Sequence, residues 1–234
     1  MTADQIKLAG LFKRQPVFFY LYISRHYPLS FSLIILLENE IDLGGISYNE
    51  NINFSVDLIL AFEKKWSWQA LANNKKIKNN SSILGKFMWI AFEEPDEEEP
   101  EVIASDESYH VDIRYHKYTL DEIEAKKNEI SWSHLSSNEL MKWDYSFLEK
   151  YKEYFWFGYP SDETSLETDC LELYHNEAIP WSVDILLLFE DKLFKGYMST
   201  KNYLWNRTMM SAIYPLVDRE LIADVLSEIM TRKS

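Results

Sequence analysis

The sequence predicts an all-α fold: a degenerate helical-repeat solenoid, each repeat a capped helix plus a short second helix, with acidic loop insertions. Three observations predict it. A 25-residue spacing recurs, a helix-capping residue stands at the same place in every unit, and apolar residues follow that cap at helical intervals. The chain has 234 residues, of which 47% are hydrophobic and 15% aromatic, enough to bury a sizeable core. Only 6 glycines and 7 prolines argue against a turn-rich β-sandwich.

Residues 1–28 are read as an N-terminal cap. Their longest apolar run, "PVFFYLYI", is separated from "FSLIILL" by Arg25 and His26. Neither run approaches the roughly 20 residues needed to span a bilayer. Asp4 stands early and no small-residue cleavage pattern follows a basic start, so no signal peptide is expected. The single cysteine, Cys170, fits a reducing compartment, and a cytoplasmic location is expected.

The repeats begin at Leu29, Phe54, Asn79, Tyr118, Trp143, Trp181 and Val217, separated by 25, 25, 39, 25, 38 and 36 residues. The three long spacings are one 25-residue period with an insertion. The residue after each start is Ser30, Ser55, Asn80, Thr119, Asp144, Ser182 or Asp218. All are favoured N-caps, whose side-chain oxygen accepts from a backbone N–H that the helix leaves orphaned. Four residues past the cap stand Ile34, Ile59, Leu84, Ile123, Leu148, Leu186 and Ile222, without exception. An apolar residue before the cap packing on one in the first turn is a hydrophobic staple. Positions eight and twelve are mostly apolar too, which predicts an amphipathic helix of about three turns.

The rest of each unit reads "IDLGGISYN", "WSWQALANN" or "ISWSHLSSN". This is a short second helix ended by a polar turn, with Asn49, Asn74 and Asn138 as turn or cap residues. Neither piece buries its apolar side alone, and stacking supplies the missing surface. Trp66, Trp68, Trp132, Trp143 and Trp181 occupy repeat columns and are expected in the inter-repeat core. The alternative, an exposed stacking platform for bases or sugars, needs rings open to solvent.

The pattern W-S-x-x-L-I-x-x-F-x-x-K-W-x-W-x-x-L-S-x-N is matched here by Phe54, Ser55, Leu58, Ile59, Phe62, Lys65, Trp66, Trp68, Leu71 and Asn74. In this the chain resembles tandem repeats of about 25 residues in uncharacterised bacterial and large-DNA-virus proteins. The resemblance covers most of residues 29–230, departing at Glu122, Lys126 and after Trp156. It implies a scaffold and transfers no catalytic residues. Repeats one to three then occupy 29–92 and repeats four to seven occupy 118–234.

Between them lies an acidic insertion and extended arm, 93–117. Glu93, Glu94, Asp96, Glu97, Glu98, Glu99, Glu101, Asp106 and Glu107 stand there with no Lys or Arg between them. Nine of the fourteen net negative charges come from this run. Clustered like charges repel and stay solvated, so a mobile loop is expected. It serves either as a solubilising loop or as the docking site for a basic partner protein, and those nine residues are the candidate site. "YHVDIRYH" alternates apolar and polar residues, a period suited to a short strand or arm. His110, Asp112 and His116 match no specific metal-ligand spacing, and the acidic run lacks the glycine of a calcium loop. The second insertion, Gly158 to Cys170, is also acidic, and the third, Met198 to Pro215, is mixed.

A net charge of −14 makes nucleic acid a poor partner, since phosphates are bound by clustered Lys and Arg. No membrane contact is expected. No glycine-rich phosphate loop, G-x-S-x-G elbow, H-E-x-x-H pair or C-x-x-C pair occurs, and no cofactor is expected. The expected function is therefore non-enzymatic protein binding, of the inhibitor or immunity type. The rivals are a nucleic-acid mimic, an enzyme with a carboxylate or His site, and an assembly spacer.

Overall fold

Seven polar side chains decide where the repeat helices begin. Ser30, Ser55 and Asn80 accept from the backbone N–H of Leu33, Leu58 and Ile83 at 3.3, 3.1 and 3.4 Å. Thr119, Asp144, Ser182 and Asp218 accept from Glu122, Phe147, Ile185 and Leu221 at 3.2, 2.9, 3.3 and 2.9 Å. Each bond satisfies one of the donors that a helix start leaves orphaned. Thr119 forms a full capping box, because the Glu122 carboxylate accepts from the Thr119 N–H at 2.7 Å. That bond, and then the one the Thr119 hydroxyl donates to the same carboxylate at 2.8 Å, hold the Glu122 carboxyl below its ordinary value.

This computed structural model describes residues 1–80, 83, 116–155, 173, 176–194 and 207–233. Every element among them is helix or turn, with no strand. The first helices of the repeats are Phe31–Leu36, Val56–Ala61, Leu120–Lys126, Tyr145–Tyr151 and Val183–Leu188. The short second helices are Leu43–Ser47, Trp68–Asn73 and Trp132–Ser136.

Among the described repeat helices the expected three turns are realised only in the last unit, where Arg219–Lys233 runs unbroken for 15 residues. Elsewhere the helix ends after six or seven residues. The carbonyl at position eight then accepts from the N–H three residues on. This holds for Leu37 and Glu40, Phe62 and Lys65, Lys126 and Glu129, Tyr151 and Tyr154, and Phe189 and Lys192, all at 2.8 or 2.9 Å. The tightened turn brings position twelve back to the apolar side, so Ile41, Trp66, Phe155 and Leu193 are all buried. Position five, four residues past the cap, is the centre of each helix's buried face. Ile34, Ile59, Ile123, Leu148 and Leu186 have no exposed surface, and Ile222 has almost none. Leu84 lies outside the described residues.

The chain divides into two compact units. One, the contiguous unit, is Pro16–Asp106; the other, the split unit, combines Met1–Gln15 with Glu107–Ser234. Within the split unit the helix Ala3–Arg14 packs along Arg219–Lys233. The buried Gln5 amide donates to the Leu216 carbonyl at 3.0 Å and to the Asp218 carboxylate at 2.7 Å. Lys13 pairs with Asp224 and Glu228 at 2.7 and 2.9 Å. Arg14 grips both oxygens of Glu190, at 2.9 and 2.8 Å, and holds that carboxyl below its ordinary value.

Candidate functional site

A short helix leaves most of its C-terminal carbonyls without an internal partner. In this chain the next repeat supplies one. Asn74 Nδ2 donates to the carbonyls of Ser47 and Asn49, at 3.0 and 3.2 Å, at the end of the helix Leu43–Ser47. Asn49 Nδ2 donates to Ser24 and Tyr27, both at 2.9 Å, at the end of the helix Pro16–His26. In the split unit Asn176 Nδ2 donates to Ser136 and Asn138 at 2.8 and 3.1 Å, and Asn138 Nδ2 to His116 at 2.7 Å. Each asparagine also accepts at Oδ1 from the N–H two residues on: Asn51, Lys76, Leu140 and Ala178, at 2.8 or 2.9 Å. That second bond is an Asx turn, as the sequence suggests for Asn49, Asn74 and Asn138. The cross-repeat bonds have no local signal. Asn176 escapes notice because the insertion before it removes the familiar spacing.

Serines complete this lattice. Ser24, Ser47 and Ser136 are fully buried, and each hydroxyl donates to the carbonyl four residues back, at 2.7, 3.2 and 2.7 Å. Ser24 and Ser47 also accept from the N–H of Asp42 and Ser67, at 3.0 and 3.1 Å. The indoles of Trp143 and Trp181 donate to the carbonyls of Asn138 and Asn176 at 2.7 and 3.4 Å, and Trp66 to Ile59 at 2.9 Å. These three rings are buried, whereas Trp68 and Trp132 are only half-buried. The polar side-chain atoms of the lattice are spent on backbone groups, which suits holding repeats together.

Charged chemistry gathers in the split unit. Glu124 pairs with Lys150 at 2.7 Å and with Lys127 at 2.9 Å, and accepts from the Tyr151 hydroxyl. Lys150 first, then Tyr151, then Lys127 hold the Glu124 carboxyl down at about 2. Burial, and then the bond to Glu124, push the Tyr151 hydroxyl above its ordinary value. Beside it Trp132 lies against Tyr151 and Tyr154 at 5.2 and 4.7 Å between ring centres. A carboxylate so thoroughly ionised is a poor proton donor or acceptor near neutral pH.

Glu93, Glu94, Asp96, Glu97, Glu98, Glu99, Glu101, Asp106 and Glu107 all lie outside the described residues, as do His110, Asp112, Cys170 and His175. His116 is exposed, with its ring 4.4 Å from Tyr118 and its carbonyl held by Asn138. His26 is half-buried, its ring 5.4 Å from Tyr22. Burial, and then the Arg25 charge, hold its imidazole down at about 4, so it is neutral near pH 7. Among the described residues no three His, Cys, Asp or Glu gather closely enough to hold a metal, and no helix is long and apolar enough to cross a membrane. No family model, curated protein or solved structure matches this chain.

Proposed function

We propose that this chain is a helical-repeat solenoid acting as a non-enzymatic protein-binding module, an inhibitor or immunity-type protein that neutralises a basic partner in the cytoplasm. The cross-repeat asparagine bonds support the solenoid, because they tie one repeat to the backbone of the one before. The single cysteine supports a reducing location.

One observation carries the functional reading. Nine carboxylates stand between Glu93 and Glu107 without a single cation, in a chain of net charge −14. Such a run steers a basic surface toward itself and raises its rate of encounter. The repeats serve as the scaffold that presents it.

The test is affinity capture from a lysate of the native source, with the wild type beside a variant in which the carboxylates from Glu93 to Glu101 become Gln or Asn. The reading expects one basic protein retained by the wild type, lost with the variant, and released as salt rises. Equal recovery with both overturns the role of the acidic run.

A further inference from the structure

The solvent faces of the repeat helices differ between the two units. In the split unit, column six of one helix meets column seven of the next as an ion pair, Glu124 with Lys150 at 2.7 Å. The spacing from Tyr118 to Trp143 is 25 residues, and that from Leu29 to Phe54 is the same. In the contiguous unit the equivalent columns hold Ile35 and Leu36 on one helix, and Leu60 and Ala61 on the next. The register that joins Glu124 to Lys150 therefore matches Ile35 with Ala61, the residue after Leu60.

These side chains are open to solvent. Ile35 is 50% exposed, Leu36 62% and Leu60 44%, and Phe31, one turn before Ile35, is 38% exposed. A lone exposed aliphatic residue needs no explanation, but a group at one address marks an interaction surface. The surroundings are mainly acidic. From Tyr27 to Lys65 there are six carboxylates, Glu38, Glu40, Asp42, Glu50, Asp57 and Glu63, against two cations, Lys64 and Lys65. Glu50 is paired with Lys75 at 3.3 Å. Asp57 is exposed and lies one turn before Leu60, and Glu63 is exposed just beyond it.

We infer that the solvent face of helices Phe31–Leu36 and Val56–Ala61 docks a cationic amphipathic helix of a partner protein. The helix's apolar ridge lies on Phe31, Ile35, Leu36 and Leu60, and its Lys and Arg flanks face Glu38, Asp57 and Glu63. This rests on the reading that the partner is basic, and moves the specific contact from the acidic run to a helical face. The run then steers, while the face selects.

A synthetic amphipathic Leu/Lys helix is the probe, with a scrambled peptide of the same composition as control. Titration is followed for the wild type, for Ile35→Ser with Leu60→Ser, and for a variant with Glu93, Glu94, Glu97, Glu98 and Glu99 changed to Gln. The double serine variant leaves net charge unchanged and touches only exposed positions. Its affinity is expected to fall at least about tenfold, with the loop variant keeping most of its affinity apart from a slower association. Hydrogen exchange on the wild type reads the same question without a variant, since protection on binding is expected at 31–36 and 56–61. No binding by the wild type, equal binding by the scrambled peptide, or protection confined to other residues overturns the inference. Loss of binding in the loop variant with the serine variant unaffected also overturns it, while leaving the acidic-run reading standing.

Discussion

The side-chain amide of Asn74 donates to the backbone carbonyl of Asn49, 3.2 Å away, and Asn49 reaches back in turn to Ser24 and Tyr27. One residue type thus closes its own turn and caps the helix of the preceding repeat. The equivalent pair in the split unit is Asn176 and Asn138, at 3.1 Å. Helices of five or six residues are unstable by themselves, so these bonds matter more here than caps do on long helices.

Asn74→Ala removes three hydrogen bonds from a site that is 3% exposed. A loss of about 2–4 kcal/mol is expected in urea unfolding followed by tryptophan emission. The exposed neighbour Asn73→Ala should shift stability by less than about 0.5 kcal/mol. Similar losses at the two positions would show that the lattice contributes nothing.

Gly45 is required by Asp42. A Cβ at Gly45 collides with the Asp42 carboxylate and comes within 3.3 Å of Arg25 Cγ, whereas one at Gly44 stays 3.2 Å from Asp42. Gly45→Ala is therefore expected to destabilise by about 1–2 kcal/mol, despite the better helix propensity of alanine. In an Asp42→Ala background the same change should stabilise by up to about 1 kcal/mol. A double-mutant cycle by thermal unfolding decides, and identical effects in both backgrounds would remove Asp42 as the cause.

His26 gives the contiguous unit a pH dependence. Its imidazole is held at about 4 in the folded chain against 6.5 for the free group, so the unfolded chain binds the extra proton between those values. Its contribution is fully present above about pH 6.5 and lost as pH falls toward 4. Allowing for its partial exposure, the loss is on the order of 2 kcal/mol. His26→Gln should flatten stability across that window and leave the steeper loss at lower pH. That lower loss belongs to carboxylates held below their ordinary values, such as Glu190, as they protonate. An unchanged slope between pH 6.5 and 4 would place the titration elsewhere.

Gln5 joins the two ends of the chain within the split unit. Its Oε1 accepts from the Thr2 N–H at 2.7 Å while its amide holds Leu216 and Asp218. Gln5→Ala should cost about 1.5–3 kcal/mol and speed proteolysis of both terminal helices. Faster cleavage of only one of them would argue that they do not open together.

Local chemistry was the legible part. A cap needs only an oxygen and an N–H three residues on, so Ser30, Ser55, Asn80, Thr119, Asp144, Ser182 and Asp218 announce their role wherever the rest of the chain goes. The apolar residue four past the cap is equally plain, since helical geometry puts it on the core side. The length of the first helices was misread, because the residues at positions eight and twelve suit a continued helix and a tight turn alike. Trp68 and Trp132 look like Trp66 in sequence, yet the packing around them left them half-buried. The exposure of Phe31, Ile35 and Leu60 gave no signal, because apolar residues off the buried columns are common in any helix.

The sequence by itself determined that the described chain is helical, where its repeat helices start and which side chain anchors each. Those properties depend on groups within one turn of each other. Tertiary structure alone decided which carbonyl each asparagine holds, that Gln5 meets Leu216 and Asp218, and which apolar residues stay in water. Those pairings join groups 22 to 213 residues apart, and no local propensity encodes which distant surface will arrive.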